Sequence, residues 1–190
     1  MRGTESEHGR HAVKADAVAG LRNALVSGAG IADSVRACWY RHPLFASTLM
    51  SESLRLRYSP GCDIRLVTAF VARIRNSCGG PPGGFPSREA EAVIRACLGE
   101  VAMLDAVPPA QFSYPEIGIA ILSQLLTEWR PGRDEVLGWF EQVEAAMEMM
   151  IEGFPALGRD EDDWFAAAMH QSPFAMLFGG VTPQRTEEER

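Results

Sequence analysis

From residue 136 onward the apolar side chains fall at 137, 140, 143, 147, 150, 151 and 154, one face of an α-helix and no face of a strand. Similar helical spacing recurs along the chain, while the alternating pattern of a half-buried strand is almost absent. The expected fold class is therefore all-α, as a single helical bundle of about seven to eight helices or a degenerate two-repeat arrangement. Punctuation places the elements. Pro43 suits the start of a helix over 43–58, Ser59-Pro60 a helix to 76, Ser87 a cap for 87–105, and Pro131 with Asp134 and Glu135 the start of 133–152. Helices are also expected over 12–27, 31–41 and 115–129, with a short one at 161–170 and a turn at 173–178. The 115–129 segment carries Ile117, Ile119, Ile121, Leu122, Leu125, Leu126 and Trp129 over more than half its circumference. A helix that apolar is central in a bundle or half of an interface.

Residues 1–11 read as a disordered polar leader, 12–180 as one all-α domain, and 181–190 as a frayed charged tail. The clearest break is Ser77-Cys78-Gly79-Gly80-Pro81-Pro82-Gly83-Gly84-Phe85-Pro86, read as a flexible loop within that domain. A faint echo crosses it. Val35-Arg36-Ala37-Cys38 resembles Ile94-Arg95-Ala96-Cys97, and Ser59-Pro60-Gly61-Cys62-Asp63 resembles Arg130-Pro131-Gly132-Arg133-Asp134. The recurrence is also what any good helix start looks like.

Apolar residues make up 46% and charged residues 23% of the 190, a globular balance that excludes wholesale disorder. No apolar run reaches the roughly 18 residues of a membrane span, and the start lacks the apolar core of a secretory signal. Net charge is -7. It divides unevenly: residues 1–95 hold 13 Lys/Arg against 8 Asp/Glu, and residues 96–190 hold 5 against 17. Such a chain can pair its halves internally, pair with a copy, or meet partners of either sign. The four cysteines, 38, 62, 78 and 97, form no Cys-x-x-Cys pair and are expected reduced, mostly as small buried hydrophobes, in a cytoplasmic protein.

Candidate chemistry is sparse. Asp160, Glu161, Asp162 and Asp163 could hold a divalent cation, but acids also gather at the start of a helix, where the macrodipole favours them. His8, His11, His42 and His170 suggest no rigid ligand set, and no nucleophile elbow, phosphate loop or dinucleotide fingerprint appears. No catalytic residue, cofactor or metal is assigned. Arg36, Arg41, Arg55, Arg57, Arg65, Arg73 and Arg75 are the case for nucleic acid, opposed by the overall acidity.

The remaining candidate is an acidic stripe, Glu141, Glu144, Glu148 and Glu152, beside the apolar face of the 133–152 helix. Like charges at that spacing repel by roughly 0.2 to 0.5 kcal/mol a pair, so the stripe is either solvated or faces arginines. Trp139 and Met149 lie off the main apolar face and are expected exposed beside it. The sequence thus points to a non-enzymatic regulatory or adaptor protein that contacts a protein partner or itself as a homodimer through Trp139, Glu141, Glu144, Glu148, Met149 and Glu152. The alternatives are a small-molecule-binding regulator or enzyme with an apolar Trp/Met-lined pocket, and a DNA-binding regulator. Replacing Glu144→Arg together with Glu148→Arg is expected to abolish partner or self association, read by native mass spectrometry, while circular dichroism stays unchanged.

Overall fold

A computed structural model describes residues 17–58, 61–78, 84–100, 102–103, 114–129 and 132–153. Among them lie seven helices and no strand. The described part of α1 covers residues 17–27. It is followed by α2 (Ile31–Arg41), α3 (Pro43–Arg57), α4 (Ile64–Ser77), α5 (Ser87–Cys97), α6 (Tyr114–Glu128) and α7 (Arg133–Gly153). One contiguous apolar core draws side chains from all seven. The leader 1–11, the acidic cluster 160–163, the 161–170 and 173–178 segments and the tail 181–190 lie outside the described residues.

Two helices organise the bundle. α6 packs against α2, α3, α4 and α5, as its apolar circumference requires. α3 packs against α2, α5, α6 and α7, and every residue from Pro43 to Ser51 is buried. Its composition gave no such signal, because Ser47, Thr48, Ser51 and Ser53 interrupt the leucines. Enclosure is possible because three of these hydroxyls are satisfied within the helix and the fourth, Ser51, donates to Cys97 Sγ of α5 at 3.5 Å. Ser47 donates to the Pro43 carbonyl at 2.6 Å, Thr48 to that of Leu44 at 2.9 Å, and Ser53 to that of Leu49 at 2.5 Å.

Two helix boundaries differ from the sequence expectation. α4 begins at Ile64, with the Asp63 carboxylate accepting the Arg65 N–H at 2.9 Å. Asp63 supplies the acceptor that Ser59 was expected to provide, one turn further on. α5 stops at Cys97 and does not continue to 105. Gly99, with φ of 105°, turns the chain back so that the Gly99 and Glu100 amides reach the Ala96 and Arg95 carbonyls at 3.0 and 2.9 Å.

The α2–α6 contact is close. The Trp39 indole is fully buried against α6 at Gly118 and lies 5.6 Å, centroid to centroid, from the Tyr114 ring. A Cβ at position 118 would sit 2.1 Å from Trp39 Cη2 and 2.3 Å from Cζ2. Neither a buried indole nor a central helix can yield by that much without repacking. Gly118→Ala is therefore expected to destabilise the fold by about 1–3 kcal/mol. A lower urea midpoint checks this, and adding Trp39→Phe, which shortens the ring at the clash, should restore part of the loss.

Candidate functional site

The carboxyl ends of α3 and α6 and the start of α7 enclose a cleft of about 480 Å³. Its apolar lining comes from Leu56, Leu125, Leu126, Trp129 and Trp139. Helix ends build it: Leu56 stands in the last turn of α3, and Trp129 immediately follows α6. Trp129 meets Trp139 edge to face, with ring centroids 4.4 Å apart. Leu56 is 68% exposed at this cleft.

The charged and hydroxyl groups of the lining are engaged within the chain, while the buried Trp139 Nε1–H has no hydrogen-bond partner among the described residues. Ser53 donates to the Leu49 carbonyl, and Glu135 accepts the Gly132 N–H at 3.3 Å, closing the first turn of α7. The Glu128 carboxylate accepts from Arg57, from Arg73 Nε at 2.7 Å and from Gln124 Nε2 at 2.7 Å. The two guanidiniums in turn lie over the Phe70 ring, at 5.3 Å for Arg57 and 5.4 Å for Arg73. Burial alone would raise the Glu128 pKa. The hydrogen bonds from Arg73 and Gln124 and the Arg57 charge outweigh it and hold the carboxyl below its usual value. With its charges held this way, the cleft offers an occupant apolar surface from its leucines and tryptophans beside a polar edge.

The acidic stripe is split by the described residues. Glu141 is exposed. Glu144 reaches Arg22 of α1 at 3.6 Å, and Arg22 also lies 5.1 Å from the Phe140 ring centroid. Glu144 thus faces an arginine from the amino-terminal half. Glu148, Met149 and Glu152 lie on the described backbone of α7, and their side chains lie outside the described residues. Trp139 requires a correction: it is 4% exposed and packs against Trp129 and Phe140. Among the described side chains of α7 the buried ones are Val136, Trp139, Phe140 and Val143, a face turned toward 139 and away from Leu137, which is only half-buried. The Trp129 ring, brought in by the short α6–α7 connection, covers that side of α7. Trp139 belongs to the cleft wall, not to an outer surface.

Sequence reasoning missed Leu56, Gln124 and Glu128. The single signal was the i, i+4 spacing of Gln124 and Glu128 near the end of an otherwise apolar helix. Nothing local announced that Arg57 and Arg73, from two other helices, converge there. Of the seven arginines that made the case for nucleic acid, four meet carboxylates: Arg36 with Glu116, Arg55 with Glu52, and Arg57 and Arg73 with Glu128. Glu116 also accepts the Tyr40 hydroxyl at 2.7 Å, a bond that, with Arg36, holds its pKa below the usual value. Cys38 and Cys97 are buried, which pushes each thiol up to about 12 and leaves it protonated at neutral pH. A second, open cleft of about 720 Å³ runs between α2, α4 and α6, closed at one side by Phe85. No group of three or more potential metal ligands occurs among the described residues. Comparison of the chain with protein families, with curated proteins and with solved structures finds no match.

The Glu128 cluster makes a pH prediction. Its folded pKa is depressed, so its stabilisation is present above the unfolded value near 4.5 and is lost as pH falls through the lower folded value. Glu128→Gln should cost about 1–2 kcal/mol at pH 7, the scale of hydrogen bonds to a charged group at a partly solvated site. Urea titrations should show the gap between wild type and variant closing below pH 4.5.

Proposed function

We propose that this protein is a non-enzymatic regulatory or adaptor protein that works by protein contact, with the α3–α6–α7 cleft taking an apolar side chain of its partner. The observation that carries this reading is Leu56, a leucine 68% exposed beside a Trp129–Trp139 pair in a cleft whose charged groups are held within the chain. Interface hot spots are enriched in Trp and Arg seated in concave patches, and Trp129, Trp139 and Arg57 line this one beside the exposed Leu56. Asp134, Glu135 and Glu141 supply acidic groups on the helix that carries Trp139. Glu148, Met149 and Glu152 continue the proposed surface along the same helix. The protein is proposed to act in the cytoplasm, where buried thiols such as Cys38 and Cys97 stay reduced. In the described residues no helix is long and apolar enough to cross a membrane.

A second reading is supported by the same tryptophans. A cleft of about 480 Å³ falls within the range of small-molecule sites, and its tryptophans with the unpartnered Trp139 Nε1–H suit a neutral, largely apolar ligand carrying one acceptor. Native mass spectrometry of protein purified from its own host, compared between wild type, Leu56→Asp and Val26→Asp, tests both readings. Val26, another exposed apolar residue, lies on α1 and does not line the cleft. The expected result is a stoichiometric complex of protein chains lost only in Leu56→Asp. A complex retained by Leu56→Asp overturns the contact reading. A small adduct on each wild-type chain, accompanied by ligand-dependent tryptophan fluorescence, replaces it with the second.

A further inference from the structure

The second cleft, between α2, α4 and α6, lies over the polar side of the central helix. Glu116, Ala120, Ser123 and Thr127 follow one another at i, i+4, i+7 and i+11, a single stripe of α6 about 16 Å long, and all four line this cleft. Because α6 packs on both α2 and α4, the stripe runs along a groove and not over an outward surface. Ala120 and Ser123 are too small to fill its middle, while Ile74, Ile117, Ile119, Phe85 and Pro86 supply apolar walls. The enclosed volume of about 720 Å³ falls inside the roughly 300–1,000 Å³ of small-molecule sites.

Most polar groups of the lining serve the fold. Thr127 donates to the Ser123 carbonyl at 2.7 Å, Gln124 donates to Glu128 at 2.7 Å, and Arg36 pairs with Glu116 at 3.2 Å. Ser123 differs from them. Its Oγ is buried with no hydrogen-bond partner among the described residues, whereas Ser47, Thr48 and Ser53 of α3 and Thr127 of α6 all bond to the carbonyl four residues earlier. Held by no bond, this hydroxyl is free to turn about χ1 and meet a polar group entering the cleft, as donor or acceptor. Asp33 is the second unused group. It is exposed and forms no ion pair among the described residues. Asp33, Arg36 and Glu116 are the charged residues of the described lining, and since the latter two cancel, Asp33 leaves the cleft with an excess negative charge.

We propose that this cleft binds a small organic cation, an amine on an apolar body, with the ammonium group at Asp33, the body against Phe85, Ile74 and Ile117, and Ser123 serving a polar group of that body. The sign follows from the lining. An anion would meet two carboxylates and a guanidinium that is already engaged, and an uncharged molecule would leave Asp33 without a partner. Burial of the apolar body supplies most of the affinity, and an ion pair at an exposed carboxylate adds a severalfold preference for positive charge. The site is separate from the α3–α6–α7 cleft, and the inference does not rest on the contact reading made there.

Nuclear magnetic resonance titration of the full, isotope-labelled chain with tryptamine, tryptophol and indole-3-propionate tests this, because the three share an apolar body and carry positive, zero and negative charge. Tryptamine at millimolar concentration should shift the backbone amides of Asp33, Ala120 and Ser123 saturably and leave the Trp139 indole N–H, in the other cleft, in place. Tryptophol should bind about threefold more weakly, the scale of an exposed ion pair, and indole-3-propionate more weakly still. Asp33→Asn should abolish the advantage of tryptamine over tryptophol and leave tryptophol unchanged. Ala120→Leu, which enlarges the floor of the groove, should weaken all three. Circular dichroism checks folding, and where Ala120→Leu lowers helicity the comparison rests on Asp33→Asn, a change at an exposed position. No saturable shift at these amides overturns the inference, as does indole-3-propionate binding as tightly as tryptamine, or an advantage of tryptamine that Asp33→Asn retains. Shifts at the Trp129 and Trp139 indoles in place of these amides also overturn it, and support the small-molecule reading of the other cleft.

Discussion

Enclosure of α3 is the constraint on which the rest of the bundle depends. A helix surrounded by α2, α5, α6 and α7 cannot send hydroxyls to water, and an unsatisfied hydroxyl in such a place costs roughly 1–3 kcal/mol. Bonding back to the carbonyl four residues earlier solves the problem inside the helix, for Ser47, Thr48 and Ser53 alike. Because these side chains are also short, neighbouring helices come close without leaving voids. The polar interruptions that disguise α3 as a surface helix are what allow it to be the central one.

The same tightness reappears at Gly118, where a missing Cβ is filled by the Trp39 ring, and α2 and α6 are fixed at that spacing. Once α3 and α6 are placed, their carboxyl ends emerge side by side. Leu56, Arg57, Glu128 and Trp129 therefore meet at one edge of the molecule, and α7 closes over them with Trp139. The cleft is thus a consequence of where two buried helices stop.

Helical periodicity made the class of fold and most element positions legible, because an amphipathic face is written in local spacing. α6 and α7 were readable in this way. α3 was placed by Pro43 at its start and not by periodicity, since every residue from Pro43 to Ser51 is buried and leaves no polar face there to mark its phase. The ends of α4 and α5 were displaced because Asp63 and Gly99 decide them through backbone geometry that residue type only suggests. For the candidate site, the acidic residues of α7 were visible as a pattern, and Glu144 does meet an arginine. Trp139 was misplaced because its burial depends on Trp129, ten residues earlier and on the other side of the helix break. The Glu128 cluster joins three helices, and no local pattern encodes convergence of that kind.

Arg22 links the beginning of the described chain to its end. Stacked near Phe140 and paired with Glu144, it clasps α1 to α7, the two helices most distant in sequence. Loosening of α1 removes an ion pair and a ring contact from one side of α7, each worth little alone at a partly exposed site. The helix that carries Trp139 into the cleft wall is thus tied on its other flank to the first described helix, so the order of α1 bears on the surface that α7 presents.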